Sequence, residues 1–421
     1  MNILVCPTAF KESLGAAEAA RALARGVRDA QPAWTTVEIP LSDGGPGLLD
    51  ALAAVGGERP AAGNREPPAD VRAAPEPATT RIERVPITGP LGDPAEGRIL
   101  WLPGGEAVIE SADGCGLHLL GERRAPLEAH TRGVGELLAR ALEGDAAAVR
   151  VGLGGSASTD GGTGLARAFG WRFLDADGRE LPPGGGPLTR LARIEPGRRP
   201  GPAGERAAAA GAGAAGSRGP GGPPAGAEIV ALSDVTTPLI GMRGAARTFG
   251  PQKGADREQV GRLVEGLERL AERIAGDLGP EAAELTGIPG SGAAGGLGAG
   301  LAVFLGARIV PGSAWVLERV DFGAKLARAD AVVTGEGAWD RSSEVGKITS
   351  EVLRRAAERG VPAALVCGRL ASDTPDGVVG LDGGGAWLDA EGLRALAGRA
   401  ADELAARAAA RPDPGTPGSS P

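Results

Sequence analysis

Histidine and cysteine are scarce in this chain of 421 residues. Only His118 and His130 are present, so a histidine-based zinc site or a Ser-His-Asp triad is not expected. The three cysteines, Cys6, Cys115 and Cys367, stand far apart and form no C-x-x-C pair. Because the opening residues also lack the pattern of a signal peptide, we expect reduced thiols in a cytoplasmic protein.

Signals for membranes and nucleic acids are missing as well. No apolar run approaches the roughly 20 residues that cross a bilayer. The formal charge is −8 and no long basic run is present, which argues against nucleic acid or an anionic membrane as the main partner. The 72 glycines and 34 prolines follow no Gly-X-Y period, which excludes a collagen-like chain. A chain of this length with 42% apolar residues predicts a large core and two domains.

Lysine is the rarest of the strongly basic residues. Only four of the 45 lysines and arginines are lysines, namely Lys11, Lys253, Lys325 and Lys347. All but Lys325 lie in predicted loops or helix starts beside glycine, serine or proline. A compact ammonium suits a point contact to a phosphoryl group. The alternative is a solvated surface lysine, which is less expected in a chain that uses arginine almost everywhere else.

The residues that are present predict alternating strands and helices near the start of the chain. The pattern gives a strand, a helix, a second strand and a second helix at 2–7, 14–30, 36–41 and 47–55. This order is typical of a parallel sheet covered by helices. Further along, residues 81–92 and 97–111 alternate like strands of a sheet that is not purely parallel.

Three segments are too rich in proline, glycine, alanine and charge to pack a core. They are predicted to be a flexible linker, a disordered insertion and a disordered tail, at residues 59–80, 197–228 and 406–421.

Acidic residues follow several predicted strands. Asp43, Asp160 and Asp234 each stand in such a loop, and Glu336 shares another with Asp340. Ligands gather at the carboxyl ends of strands in open α/β sheets, where carboxylates can hold Mg²⁺ or accept a proton from a hydroxyl. Helix capping or Asx-turns would explain any single acid as well. Five acids in four similar loops favour a site.

Two glycine-rich turns, at 152–158 and 290–300, are candidates for phosphate binding. Such turns can direct backbone N–H groups at phosphate oxygens, although glycines also permit tight turns and close packing. The stretch "GLGGSA" additionally satisfies a dinucleotide-binding pattern, so an oxidoreductase is an alternative. Against it, "TDGGTG" follows at once, and the next acid, Asp175, lies in a hairpin signal.

Taken in order, "FKESL", "SDGGPG", "GLGGSASTDGG", "FGPQKGA", "GAAGGLGAGL" and "TGEGAWD" resemble the glycerate kinase type 1 family, from residue 1 to about 370. The resemblance implies ATP- and Mg²⁺-dependent phosphorylation of D-glycerate, with 2-phosphoglycerate favoured over 3-phosphoglycerate, by a monomer or homodimer. It also implies two α/β domains with the active site in the cleft. One is Rossmann-like or flavodoxin-like, with a parallel sheet formed from residues 1–58 and 288–400, and the other is an inserted mixed-sheet domain at 81–287. A kinase of another hydroxy acid and a non-catalytic nucleotide-binding member are further alternatives.

The resemblance places several residues at the family's motif positions, and we assign their roles as hypotheses. Lys11, Asp43, Asp234 and Lys253 would be catalytic, Gly154, Gly155, Ser156, Asp160, Gly295 and Gly296 would bind nucleotide phosphates, and Glu336 and Asp340 would hold Mg²⁺. Arg243, outside those motif positions, would hold the substrate carboxylate. The two lysines would neutralise phosphoryl oxygens, while Asp43 or Asp234 would orient the attacking hydroxyl. The chain departs from the usual pattern at Glu12, Pro46 and Thr159, where the family has glycine, glutamate and asparagine.

Overall fold

A computed structural model describes residues 1–10, 13–56, 80–196, 227–340, 347–385 and 388–409. The candidate Lys11, the departure at Glu12 and almost all of the three segments predicted to be disordered lie outside these ranges. In the described part of the chain, no helix combines the length and the hydropathy needed to span a membrane.

The secondary structure alternates between strands and helices along the chain. The strands are β1 Asn2–Val5, β2 Thr35–Glu38, β3 Arg81–Thr88, β4 Pro94–Leu102, β5 Glu106–Glu110, β6 Ala148–Gly152, β7 Arg172–Leu174, β8 Arg193–Glu195, β9 Glu228–Leu232, β10 Arg308–Val310, β11 Ala331–Trp339, β12 Ala363–Leu370 and β13 Val379–Asp382. The α-helices are α1 Ala16–Ala30, α2 Leu48–Ala54, α3 Ser111–Cys115, α4 Arg132–Glu143, α5 Thr163–Ala168, α6 Ala245–Phe249, α7 Arg257–Leu278, α8 Pro280–Glu284, α9 Ala293–Leu305, α10 Gly312–Arg319, α11 Phe322–Leu326, α12 Ile348–Glu358 and α13 Ala390–Ala409. Three short 3₁₀ helices occupy Leu117–Leu120, Gly186–Arg190 and Pro251–Lys253.

The described residues form two compact units. The first unit comprises those within Met1–Asp43, Asp50–Ala62 and Val316–Pro421, and the second unit those within Gly44–Leu49 and Gly63–Trp315.

The first unit is built on a five-stranded sheet in the order β13-β12-β11-β1-β2. All of its neighbouring strands are parallel. Strands β1, β11 and β12 are largely buried, and α1 and α13 pack over one face to complete a core that includes Leu23, Val333 and Leu396. The helices approach closely at Gly26, where a Cβ atom would lie 2.0 Å from the Arg394 carbonyl oxygen. The predicted parallel sheet is therefore confirmed.

The second unit contains a six-stranded mixed sheet in the order β10-β9-β6-β5-β4-β3. Strands β3, β4 and β5 are antiparallel neighbours, while β5, β6, β9 and β10 run parallel. Helices α4, α5, α7 and α9 contribute to the apolar core, where Phe304 lies with its ring centroid 5.0 Å from that of Trp171. The predicted separate mixed sheet is confirmed as well.

Four boundaries differ from the sequence-based expectation. Gly44–Leu49, expected in the first domain, belongs to the second unit. The first unit resumes at Val316 instead of 288, because β10 pairs with β9 and draws the preceding helix into the second unit. The expected tail from 406 overlaps α13, which continues to Ala409 because Leu404 in its last turns is buried. The expected insertion ended at 228, yet that residue begins β9.

Candidate active site

Polar residues of the second unit follow the carboxyl ends of three parallel strands. Strands β5, β6 and β9 are neighbours in the sheet, so the residues that follow Glu110, Gly152 and Leu232 emerge at one edge. This is the edge at which ligands bind in open α/β sheets. Four of the predicted site residues, Gly154, Gly155, Ser156 and Asp234, follow these strands directly.

Lys253 reaches the turn after β6 from a short 3₁₀ helix. Its Nζ donates to the Ser156 hydroxyl at 3.0 Å and to the Ser158 carbonyl, and the residue is only 3% exposed. Burial lowers the pKa of Lys253 to about 8, and the Asp160 carboxylate acts in the opposite direction. The ammonium is thus charged at neutral pH and is held in a site shielded from water, where electrostatic effects are strong.

The glycine turn at 152–158 presents backbone donors beside this ammonium. Within the described residues, neither the Gly155 nor the Ser156 N–H donates to a protein atom. Gly155 has a φ of +66°, and a Cβ atom there would lie 2.7 Å from Pro46 Cγ. Glycine is therefore needed for both the backbone conformation and the close packing. A turn with two available N–H groups next to an ammonium is suited to binding an anion.

Gly154 and Asp160 both have hydrogen-bond partners within the second unit, and their role in nucleotide binding stays a prediction. The Gly154 N–H donates to the Ser111 hydroxyl at 3.0 Å. Asp160 is fully buried, and its carboxylate accepts bonds of 2.9 to 3.1 Å from Thr131 N, Thr131 Oγ1, Gly162 N and Gly164 N. Since these four donors occupy its oxygens, Asp160 fixes the turn before α5.

Gly295 and Gly296 pack against the same turn. Together with Ala294 they adopt left-handed backbone angles within the assigned bounds of α9. A Cβ atom on Gly295 would lie 2.0 Å from the Ser158 carbonyl oxygen, and one on Gly296 would lie 2.7 Å from Gly161 Cα. Close approach of two backbones therefore requires glycine at both positions, and their role in phosphate binding stays a prediction.

Asp234 and Arg243 belong to the loop after β9. Both carboxylate oxygens of Asp234 accept from the Ser313 N–H, at 3.1 and 3.2 Å, and the Ser313 hydroxyl donates to it as well. Arg243 lies on the exposed part of this loop. The loop after β9 thus carries the carboxylate of Asp234, which is held by Ser313, and the exposed guanidinium of Arg243.

The first unit holds Asp43, Glu336 and Asp340. Asp43 is exposed after β2. The prediction that Glu336 lies in a loop is wrong: β11 continues to Trp339, and Glu336 pairs with Cys367 inside the sheet. The strand continues because Trp339 is buried and pairs with Leu370.

The predicted Mg²⁺ ligands offer suitable atoms but no preformed cage. Three residues of extended strand, from Glu336 to Trp339, span about 10 Å, so Glu336 and Asp340 do not lie side by side. No group of three His, Cys, Asp or Glu side chains within the described ranges is arranged to hold a metal. Mg²⁺ commonly takes one or two carboxylates together with water and substrate phosphates. The donor types therefore fit, provided that a phosphate substrate completes the coordination.

Sequence reasoning missed two residues at the end of β5. Glu110 and Ser111 bind the loops after β2 and β6, and the only local signal is a polar pair ending an apolar strand in "AVIES". The dinucleotide pattern, in contrast, is not realised as a fingerprint. The helix after "GLGGSA" begins only at Thr163, whereas a true fingerprint opens a helix directly.

The sequence matches the model of the glycerate kinase family over residues 3–383. It is 37% identical over 373 residues to a glycerate kinase of Halalkalibacterium halodurans, covering 88% of this chain and 86% of the relative. It is 34% identical over 378 residues to a glycerate 2-kinase of Escherichia coli K12, covering 89% and 86%. A crystal structure assigned by name to glycerate kinase 2 of Salmonella typhimurium LT2 superposes with a TM-score of 0.73 at 31% identity, covering 97% of this chain and 99% of that one.

Proposed function

Because the chain belongs to the glycerate kinase family, we propose that this enzyme transfers a phosphoryl group from ATP to D-glycerate. We favour 2-phosphoglycerate over 3-phosphoglycerate as the product, in keeping with the name of the Escherichia coli relative. A small organic acid and ATP are then its substrates, and a monomer or homodimer stays the predicted assembly.

The observation that carries this proposal is the buried ammonium of Lys253 beside the Gly155–Ser156 backbone. Phosphoryl transfer depends on positioning and on neutralising charge at the phosphoryl oxygens, with little covalent work for the protein. A preorganised cation and N–H donors in a site shielded from water meet that requirement without reorganisation during the reaction. Lys253 is proposed to neutralise the transferred group, and Gly155 and Ser156 to hold phosphate oxygens.

The acceptor substrate needs a group that orients its hydroxyl and one that binds its carboxylate. Asp43 and Asp234 are the proposed candidates for the first role. Asp43 is exposed to solvent in the loop after β2, which supports its choice as proton acceptor, with Asp234 as the alternative. Arg243 is proposed to bind the carboxylate, since a guanidinium can make two parallel hydrogen bonds to it. Lys11 keeps its proposed role as a second cation at the phosphoryl group.

Mg²⁺ is proposed to bind through Glu336 and Asp340, each contributing carboxylate oxygen. When bound, the ion would neutralise charge on the nucleotide phosphates. Glu336 is largely buried, with 9% exposure, which would preserve a strong attraction for a cation.

A coupled ADP-release assay with Mg-ATP and a panel of small hydroxy acids tests the proposal. We expect turnover with D-glycerate, and ³¹P NMR of the product then distinguishes 2-phosphoglycerate from 3-phosphoglycerate. ADP release with another hydroxy acid alone would overturn the substrate while keeping the reaction class. ATP binding without ADP release for any acid would overturn catalysis and favour a nucleotide-binding regulator.

A further inference from the structure

Two adjacent residues at the end of β5 bind two different loops. Glu110 is 2% exposed, and its Oε1 accepts from the Leu49 N–H at 2.8 Å. The Gly47 N–H lies 3.1 Å from both of its carboxylate oxygens. The next residue, Ser111, accepts from the Gly154 N–H at 3.0 Å and donates to the Gly154 carbonyl at 2.9 Å. One strand end therefore fixes the segment 44–49 and the turn 152–158.

These two loops also touch each other directly. A Cβ atom on Gly152 would lie 2.3 Å from the Gly44 carbonyl oxygen, and one on Gly154 would lie 3.0 Å from Gly45 Cα. Backbones this close cannot shift independently. Holding segment 44–49 in place therefore also fixes the turn that presents Ser156 to Lys253.

We propose that Glu110 and Ser111 are positioning residues that lock segment 44–49 against the turn 152–158 and so set the geometry of the anion site around Lys253. The inference rests on the proposed function, because the anion site is taken to bind the phosphoryl group. Neither residue needs to touch a substrate.

A carboxylate is chemically suited to this position. Gly47 and Leu49 offer only N–H donors, and an ionised carboxylate is purely an acceptor. Its burial costs free energy, and the nearby guanidinium of Arg98 is bound to Asp113 at 2.8 Å. A charge kept at this cost, with no cation bonded to it among the described residues, indicates that the bonds from the Gly47 and Leu49 N–H groups matter.

The protonation state of Glu110 should affect how firmly the loop is held. Burial raises its pKa to about 7, and the charge of Asp113 adds to this effect, whereas the backbone bonds from Leu49 and Gly47 and the charge of Arg98 oppose it. Protonation turns one acceptor oxygen into a donor facing the N–H groups. The lock should therefore loosen as the pH falls below about 7.

The test compares Glu110→Gln with Glu106→Gln, a matched control on the same strand. Glu106 is bound to Arg150 at 2.6 Å at the opposite end of β5. Glutamine keeps the volume of Glu110 but places an amide donor against the loop. We expect hydrogen–deuterium exchange of the Gly47 and Leu49 amides to rise at least tenfold in Glu110→Gln and to stay at the wild-type rate in Glu106→Gln.

With D-glycerate and Mg-ATP, we expect the kcat of the wild type to decline as the pH falls below about 7, because protonated Glu110 holds the loop less firmly. Glu110→Gln should lower kcat about tenfold at neutral pH and should not show this decline. Ser111→Ala should also lower kcat, and the double variant should lose little more than the worse single variant, because both residues hold one arrangement.

Unchanged exchange in Glu110→Gln would overturn the lock, as would additive losses in the double variant. If Glu110→Gln does not fold, Ser111→Ala decides: wild-type exchange at Gly154 together with wild-type kcat would overturn the inference. Because exchange needs no substrate, a failure of the proposed function shows separately, as a wild-type enzyme without turnover.

Discussion

The two units share one kind of architecture but differ in the side chains that they bury. In both, parallel strands are covered by helices, but the described buried side chains of the first unit are mostly apolar, with Ser42, Thr334, Glu336 and Thr349 as exceptions. Most of the described buried polar side chains belong to the second unit, among them Glu110, Asp160, Ser156 and Lys253. Many of these bind loop backbone. The first unit therefore illustrates stability obtained by packing, and the second illustrates loop geometry fixed by hydrogen bonds.

This contrast predicts that changes in the two units affect different measurements. A cavity in an apolar core lowers the free energy of unfolding and leaves a remote site intact while the protein stays folded. A lost bond in a buried polar network disturbs the groups that it positions. Three substitutions test this difference between the two units.

The largest effect is expected for Lys253→Met, which keeps much of the side-chain length and removes the ammonium. We expect kcat for D-glycerate phosphorylation to fall by about 10² to 10³, the usual cost of removing one stabilising donor at a reacting group. Steady-state kinetics with a folding check by circular dichroism would measure it. The control is Lys325→Met in the first unit, whose ammonium donates to the Val320 carbonyl at 2.6 Å. Equal losses in the two variants would contradict a special role for Lys253.

The opposite behaviour is expected for Leu23→Ala in the first unit. Leu23 is fully buried in α1, so truncation should lower the free energy of unfolding by about 3 kcal/mol. Urea denaturation gives that value, and kcat measured well below the unfolding midpoint should match the wild type. A tenfold drop in kcat with little loss of stability would erase the distinction between the units.

A smaller effect is expected for Gly155→Ala. The added Cβ atom would meet Pro46 at 2.7 Å, in addition to the strain of a positive φ, and we expect kcat to fall about tenfold through displacement of the turn. Gly178→Ala is the control, because Gly178 has a φ of +77° and no atom within 4 Å of the added carbon. Gly178→Ala therefore has the strain of a positive φ without a close contact, and we expect its kcat to match the wild type. Similar kinetics for the two variants would mean that the contact with Pro46 is irrelevant.

Local patterns predicted much of the fold. Alternating apolar segments indicated β1, α1 and β2, and the rarity of lysine singled out Lys253 together with Lys11 and Lys347. In contrast, "TGEGAW" has glycines on both sides of Glu336 and suggests a loop. It becomes strand because β12 pairs with β11 past Glu336 as far as Trp339. The first unit resumes later than expected for a similar reason, since the pairing of β10 with β9 joins residues far apart in sequence.

The types of residue in the candidate site could be predicted from the sequence more readily than the partners that each residue binds. Asp160 has the composition of a ligand, but its four donors come from Thr131 and from the turn that follows it. Glu110 lies 61 residues after Leu49 and 63 residues after Gly47 in the sequence, the two residues whose N–H groups it binds. Such contacts depend on tertiary structure and leave no local pattern.

The most direct test of the role of Lys253 is the pH dependence of kcat/KM for Mg-ATP, measured with saturating D-glycerate between pH 6.5 and 10, because kcat/KM reports the pKa values of the free enzyme. If the protonated Lys253 neutralises the phosphoryl group, kcat/KM should fall as the pH rises through about 8, the value to which burial lowers its pKa. A descending limb near pH 8 is the predicted result. A profile that stays flat to pH 10 would contradict the account, because most of the ammonium would then have lost its proton without consequence.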